Sequence, residues 1–193
     1  MVSGVCLAQL EFSEALMRWL ERLLIVIGCG CLVAVGISLA GAASFQETAA
    51  ETFERELVAA VPVAPLDDGL IGRLEIPRLR LSVIVMEGDD DATLARAVGH
   101  VTGTALPWEQ GNAVLAGHRD TFFRPLKDLR DGDEIRMTTT RGTFDYRVIR
   151  TEIVEPDDLS VLAPTPGRAL TLVTCYPFVY VGRAPQRFVI YAQ

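Results

Sequence analysis

Residues 133–154 read DEIRMTTTRGTFDYRVIRTEIV: two runs of strand-like periodicity, Asp133–Thr140 and Thr143–Val154, on either side of the tight turn Arg141-Gly142. Such a turn between two β-type runs predicts a hairpin. Outward from it the same periodicity recurs at Leu70–Ile76, Leu79–Met86, Asn112–Ala116, Leu170–Cys175 and Gln186–Tyr191, so seven strands are expected. A second tight turn, Asp131-Gly132, leads into the hairpin, while Asp91–Val98 and the segment after Asp157 read as short helices or single turns. The fold class expected is mainly β: a closed, mainly antiparallel barrel with short helices over its openings. Residues 71–193, about 120 in number, are enough to bury a single core.

On the N-terminal side the pattern changes. Leu23–Ala43, LLIVIGCGCLVAVGISLAGAA, carries no charge for 21 residues, and as a helix it spans roughly 30 Å of hydrocarbon. A signal-peptide apolar region is about 7 to 15 residues and a core helix is rarely uncharged for so long, so an uncleaved transmembrane helix is expected, although the small residues 40–43 would suit a signal peptidase. Arg18 and Arg22 precede the span and only Arg55 closely follows it, which places the N-terminus in the cytoplasm and the rest outside. Residues 46–60 are rich in helix formers, and Pro62, Pro65 and Asp67-Asp68-Gly69 end that stretch. The organisation expected is therefore a cytoplasmic tail (1–22), a transmembrane helix in membrane lipid (23–43), an extracytoplasmic stalk (44–69) and a globular domain (70–193).

Composition excludes several classes of function. The formal net charge is -7, from 18 Lys and Arg against 25 Asp and Glu, and no basic cluster forms, so nucleic acid is not an expected partner. Half the residues are hydrophobic, which excludes disorder. The cysteines, Cys6, Cys29, Cys31 and Cys175, have neither disulfide-framework nor zinc spacing. Cys29 and Cys31 read as small apolar residues of the span. Cys175 is then alone in an exported domain, in a compartment that favours disulfides.

Cys175 ends the run Ala169–Cys175 and is followed by Tyr176-Pro177, so it stands where a strand gives way to a loop, a position that exposes its sulfur. A thiol needs a nearby cation or base to favour its thiolate. Of two histidines, His118 follows the strand Asn112–Ala116 through a glycine and mirrors the strand-end placement of Cys175; adjacent strands would bring both to one barrel rim. His100 has no strand leading into it and reads as a structural, loop-packing residue. Arg187 opens a strand and Arg183 lies in the preceding loop; either could supply an oxyanion donor, and spacing alone does not choose.

Together these residues resemble the sortase family, the membrane-anchored cysteine transpeptidases of bacterial surfaces. Thr171-Leu172-Val173-Thr174-Cys175 is similar to the family's T-L-x-T-C signature, and Leu115-Ala116-Gly117-His118 to its histidine motif. Arg187 falls at its arginine, 12 residues past the cysteine. Gly103–Pro107, Gly111-Asn112, Gly117–Phe123 and Cys175–Phe178 look like the class D branch, a context that class E sortases largely share.

The resemblance implies a sortase-type barrel without cofactor. In it Cys175 attacks the Thr carbonyl of a Leu-Pro-x-Thr-like C-terminal sorting signal on a secreted protein, and an amine acceptor, a peptidoglycan precursor or a pilin lysine, resolves the thioacyl enzyme. It further implies His118 as general acid and base, Arg187 as substrate and oxyanion cation, and an assisting hydroxyl on Thr174 at the substrate. The carboxylates Glu87, Asp89, Asp90 and Asp91 read as a solvated turn, and no metal is expected. Alternatives are a hydrolase or pilus polymerase with the same cysteine chemistry, and a non-enzymatic anchored barrel that binds an envelope partner. An L,D-transpeptidase would want a Ser-His-Gly-Cys arrangement that is absent.

Overall fold

The hairpin of residues 133–154 forms two sides of a closed barrel. In the computed structural model, which describes residues 3–59 and 69–193, its arms are β5 (Glu134–Thr139) and β6 (Gly142–Val154), with Thr139 opposite Gly142. Gly142 sits at φ +128°, a left-handed conformation that costs a residue without a Cβ little. The other strands are β1 (Leu70–Ile76), β2 (Leu81–Glu87), β3 (Val98–His100), β4 (Asn112–Ala116), β7 (Ala169–Tyr176) and β8 (Gln186–Ala192). Their order around the barrel is β1-β2-β3-β4-β7-β8-β6-β5, closed by pairing of β5 with β1.

Two features depart from the sequence reading. Val98–His100 is an eighth strand, where a helix end and a loop were expected; three residues including a glycine are too short for a period-of-two pattern to register. The helix in that region, α2, is confined to Asp91–Leu94. The barrel is mainly antiparallel as expected, but β2 pairs β3 and β4 pairs β7 in parallel. A parallel pair needs a long crossover, and for β4 and β7 that crossover contains the whole β5–β6 hairpin.

Inward side chains of every strand fill one core, including Leu74, Ile76, Leu115, Ile135, Met137, Leu170, Leu172 and Ile190. At the start of β5 the buried Asp133 receives two bonds from Arg78, Nε at 2.5 Å and Nη2 at 2.6 Å. The Arg78 guanidinium holds its carboxyl below the usual carboxylate range against the opposing effect of burial.

Residues 1–41 and 42–193 are separate compact units. The first belongs to α1, the helix Ser3–Ala59, whose stretch Trp19–Arg55 is long and apolar enough to cross a membrane, its most apolar 18-residue window having a mean hydropathy of 2.7. Within the second unit, the end of α1 lies against the outer face of β1 and β2. Phe45, Ala49 and Ala50 meet Ile84, Met86 and Ala97, Phe53 is buried, and Gln46 bridges the Ile84 amide and the Arg96 carbonyl. The helical half of the stretch read as a stalk thus joins the barrel's packing. The expected turn at Pro62, Pro65 and Asp67-Asp68 lies outside the described residues.

Candidate active site

The parallel pairing of β4 with β7 decides where the chemistry-bearing side chains meet. Ala116 is the register partner of Val173, so His118 and Cys175 each lie two residues beyond a paired position, on neighbouring strands that run the same way. Two bonds lock the strands just behind them: the Gly117 amide donates to the Val173 carbonyl at 3.1 Å, and the Thr174 hydroxyl to the Gly117 carbonyl at 2.7 Å. Gly117 is needed here for space, since a Cβ would lie 2.7 Å from the ring of the buried Phe123. On the other side of β7, Cys175 is the direct partner of Arg187 in the antiparallel β7–β8 ladder.

Side-chain direction follows the strand period. Leu170, Leu172 and Thr174 point into the barrel, so Cys175 and Val173 point out of it, and Arg187, opposite Cys175, points to the same side. The Cys175 thiol is half-buried and free, and the His118 ring is exposed. Among the described residues neither side chain has a hydrogen-bonding partner, and Arg187 reaches only the Gln186 carbonyl, at 3.1 Å. Thiol, imidazole and guanidinium therefore share one rim with their donor capacity largely unused.

Beneath that rim a groove with an apolar floor runs over the outer face of β4 and β7. Val114, Ala116 and Val173 form its floor, Leu159, Val161 and Leu162 one wall, and the charged Arg187, Asp89, Glu155 and Asp158 line it as well. The wall is a 3-10 turn, Leu159–Leu162, in the crossover from β6 to β7. It is seated by Asn112, whose buried amide donates to the carbonyls of Val161 at 3.0 Å and Ala163 at 3.2 Å and accepts from the Thr171 hydroxyl at 2.7 Å. Val161 inserts beside Val154 and Val189.

The other residues singled out in the sequence sort as follows. His100 is 2% exposed, with Nδ1 2.8 Å from Glu87 Oε2 and Nε2 3.0 Å from both the Ala105 carbonyl and the Thr104 hydroxyl. It ties the loop after β3 to the barrel. Thr174, expected at the substrate, is 2% exposed and inward, and its hydroxyl donates to the Gly117 carbonyl, which links β7 to the end of β4. Arg183 is exposed in the loop between β7 and β8. Of the acidic run, Glu87 holds His100 and Thr102, and Asp90 caps α2; the Thr93 hydroxyl and the first amides of α2 keep the Asp90 carboxyl below its ordinary range. Among the described residues no three His, Cys, Asp or Glu side chains converge to hold a metal ion.

Sequence reasoning met Asn112 and Arg119 only as members of the class D-like stretches Gly111-Asn112 and Gly117–Phe123 and gave neither a role of its own. Arg119 is in fact buried, with Nη1 2.8 Å from the Pro177 carbonyl and Nη2 2.9 Å from the Tyr180 carbonyl. The available signals were its place directly after His118 and within the class D-like stretch Gly117–Phe123.

Comparison with known proteins agrees with this geometry. The Sortase domain family model matches residues 74–193. Sortase D of Bacillus subtilis (strain 168) is 42% identical over 123 residues, which cover 63% of this chain and 62% of that protein. Sortase A of Listeria monocytogenes serovar 1/2a is 28% identical over 112 residues, 56% of this chain and 50% of that protein. The chain thus spans less than two thirds of the length of these two relatives. Among solved structures, a Clostridium perfringens Sortase D5 transpeptidase aligns with a TM-score of 0.63 at 28% identity, over 78% of this chain and 95% of that one. Sortase C-1 from Actinomyces oris aligns with a TM-score of 0.59 at 31% identity, over 65% and 74%. The chain belongs to the sortase family of cysteine transpeptidases.

Proposed function

We propose that this protein cleaves a Leu-Pro-x-Thr-like sorting signal near the C-terminus of secreted proteins, after the Thr, and transfers the new acyl end to an amine at the cell surface. The observation that carries the reading is the convergence on one rim of Cys175, its ladder partner Arg187 and, from the parallel neighbour, His118. Cys175 gives its thiol proton to His118 and its Sγ attacks the Thr carbonyl carbon, whose oxygen gains negative charge that the Arg187 guanidinium stabilises. His118 gives a proton to the leaving amine as the C–N bond breaks, leaving a thioester. An incoming amine then attacks the thioester carbon, loses its proton to His118, and expels the Cys175 sulfur. The apolar floor of the groove, with Arg187 in its lining, suits the Leu and Pro side chains preceding the scissile bond.

The same reading anchors the enzyme in the cytoplasmic membrane through residues 23–43, with residues 44–193 outside. The uncharged stretch and the Arg18 and Arg22 flank support it. Protease added to intact spheroplasts should digest the barrel; a protected barrel contradicts the orientation. For the chemistry, the full-length protein is incubated with a Leu-Pro-x-Thr peptide, with and without an added amine, and the products are weighed by mass spectrometry. A new amide to the amine is the expected product. Free carboxylate alone, at every amine concentration, would identify a hydrolase.

A further inference from the structure

Arg119 is 6% exposed, and each nitrogen of its guanidinium donates a hydrogen bond. Besides the Pro177 and Tyr180 carbonyls it donates from Nε to Asp120 Oδ1 at 3.2 Å, and Cζ lies 5.8 Å from the centroid of the Tyr180 ring. Both carbonyls belong to residues 177–185, the loop that leaves β7 directly after Cys175 and Tyr176. Arg119's own backbone is the residue after His118, whose carbonyl accepts the Phe123 amide at 3.1 Å. One buried planar cation therefore joins the chain carrying the histidine to the chain carrying the cysteine, on the far side of both from the strand lock at Gly117 and Thr174.

Little else holds that loop. Val179 and Val181 are 94% and 99% exposed, and the aromatic packing of the loop on the barrel is that of Phe178, which meets Tyr176 and Phe188. Among the described residues no other side chain hydrogen-bonds the backbone of 177–185. Burying a guanidinium is costly unless it is hydrogen-bonded, and here two carbonyls and a carboxylate take a bond from each of its three nitrogens. The rigid fork of Arg reaches two carbonyls in one plane, which a Lys ammonium on a flexible stem does not reproduce.

We propose that Arg119 is a positioning residue for the His118–Cys175 pair: by clamping the turn after each, it holds imidazole and thiol at the spacing that proton transfer to the leaving amine requires. The proposal rests on the roles assigned above to His118 and Cys175. Arg119 itself touches no reacting atom.

The test uses the full-length protein with Arg119→Met, Arg119→Lys and, as a control on the same loop, Val179→Ser. Three quantities are measured: melting temperature, kcat and KM on a Leu-Pro-x-Thr peptide, and the pH profile of Cys175 alkylation by iodoacetamide. Arg119→Met is expected to lower kcat by ~10², as small misplacements of reacting groups do, with KM little changed. Its alkylation profile should be displaced along the pH axis, Arg119→Lys should recover only a minor part, and Val179→Ser should match wild type. A fall in activity that merely tracks the fraction of alkylatable protein, with kcat per reactive thiol and the pH profile unchanged, would overturn the proposal. If Arg119→Met does not fold, Arg119→Lys decides: wild-type kcat and profile overturn it, and a lowered kcat with a displaced profile supports it. The alkylation profile needs no substrate, so it separates failure of this proposal from failure of the peptide chemistry.

Discussion

Cys175 and Arg187 are direct cross-strand partners on β7 and β8, so thiol and guanidinium leave the same face of the sheet from fixed backbone positions. Sequence reasoning favoured Arg187, which opens a strand, over Arg183 in the loop before it. In the fold Arg187 stands on the β7–β8 ladder, and Arg183 is exposed in the loop before β8.

Arg187→Ala should slow acylation by ~10² to 10³ while leaving Cys175 open to alkylation, as loss of one oxyanion donor commonly does. Arg187→Lys should restore little, since a point charge lacks the planar fork. Single-turnover kinetics on a sorting-signal peptide reads both. A large defect in Arg183→Ala with a near-silent Arg187→Ala would transfer the role to the loop arginine.

The two histidines should separate by kind of damage. His118→Ala should abolish peptide cleavage with a normal melting curve, because the ring is exposed and bonded to nothing in the fold. His100→Ala should instead destabilise by about 1–3 kcal/mol, since it empties a buried site and removes the bonds to Glu87, Thr104 and the Ala105 carbonyl. Thermal denaturation and initial rates, measured on both variants, make the comparison. Equal loss of activity in a stably folded His100→Ala would show the acid and base assignment to be incomplete.

Much of this was legible in the chain because local chemistry and global fold agree. Arg141-Gly142 demands a turn and Gly142 takes the left-handed conformation; Cys175 and His118 both end short apolar strands, and both reach the rim. What could not be read depends on long-range pairing. The parallel β4–β7 register brings Gly117 to Val173 across more than fifty residues, and no local pattern encodes it. The resemblance alone put Thr174 at the substrate; that its side chain is buried and bonded to Gly117 follows from the strand period and pairing. Arg119 and Asn112 are recognisable only by what they hold, carbonyls of loops far away in sequence.

Asn112 gives a prediction about binding. Asn112→Asp removes both amide donors to Val161 and Ala163, so the 3-10 turn that walls the groove should loosen. KM for the sorting-signal peptide should rise by roughly tenfold, the equivalent of about 1.4 kcal/mol, with a smaller change in kcat. Thr171→Val, which removes a donor to Asn112 but not the tether itself, should be milder. An unchanged KM in a folded Asn112→Asp would remove the turn from substrate recognition.

Asp133 sets an acid limit on stability. Its folded-state pKa is depressed, chiefly by the hydrogen bonds from Arg78, so it contributes stability that is present above the unfolded carboxylate value, about 3.9, and lost as pH falls through the folded one. Arg78 is 38% exposed and solvent screens the pair, so Asp133→Asn should lower the melting temperature at pH 7 by only a few degrees. The gap between variant and wild type should close on acidification below about pH 4. Melting curves from pH 7 to 3 test this; a gap that stays constant or widens at low pH contradicts it.

The central claim is that Cys175 is the sole nucleophile, and the most direct test is intact-protein mass spectrometry of full-length wild type and Cys175→Ala after incubation with a Leu-Pro-x-Thr peptide and no amine. Wild type should gain the mass of the acyl fragment ending in Thr, on the tryptic peptide that contains Cys175, and lose it when an amine is added. Cys175→Ala should gain nothing and cleave nothing, with an unchanged melting curve. An adduct or cleavage that survives Cys175→Ala, or a wild-type adduct on any other residue, would contradict the account.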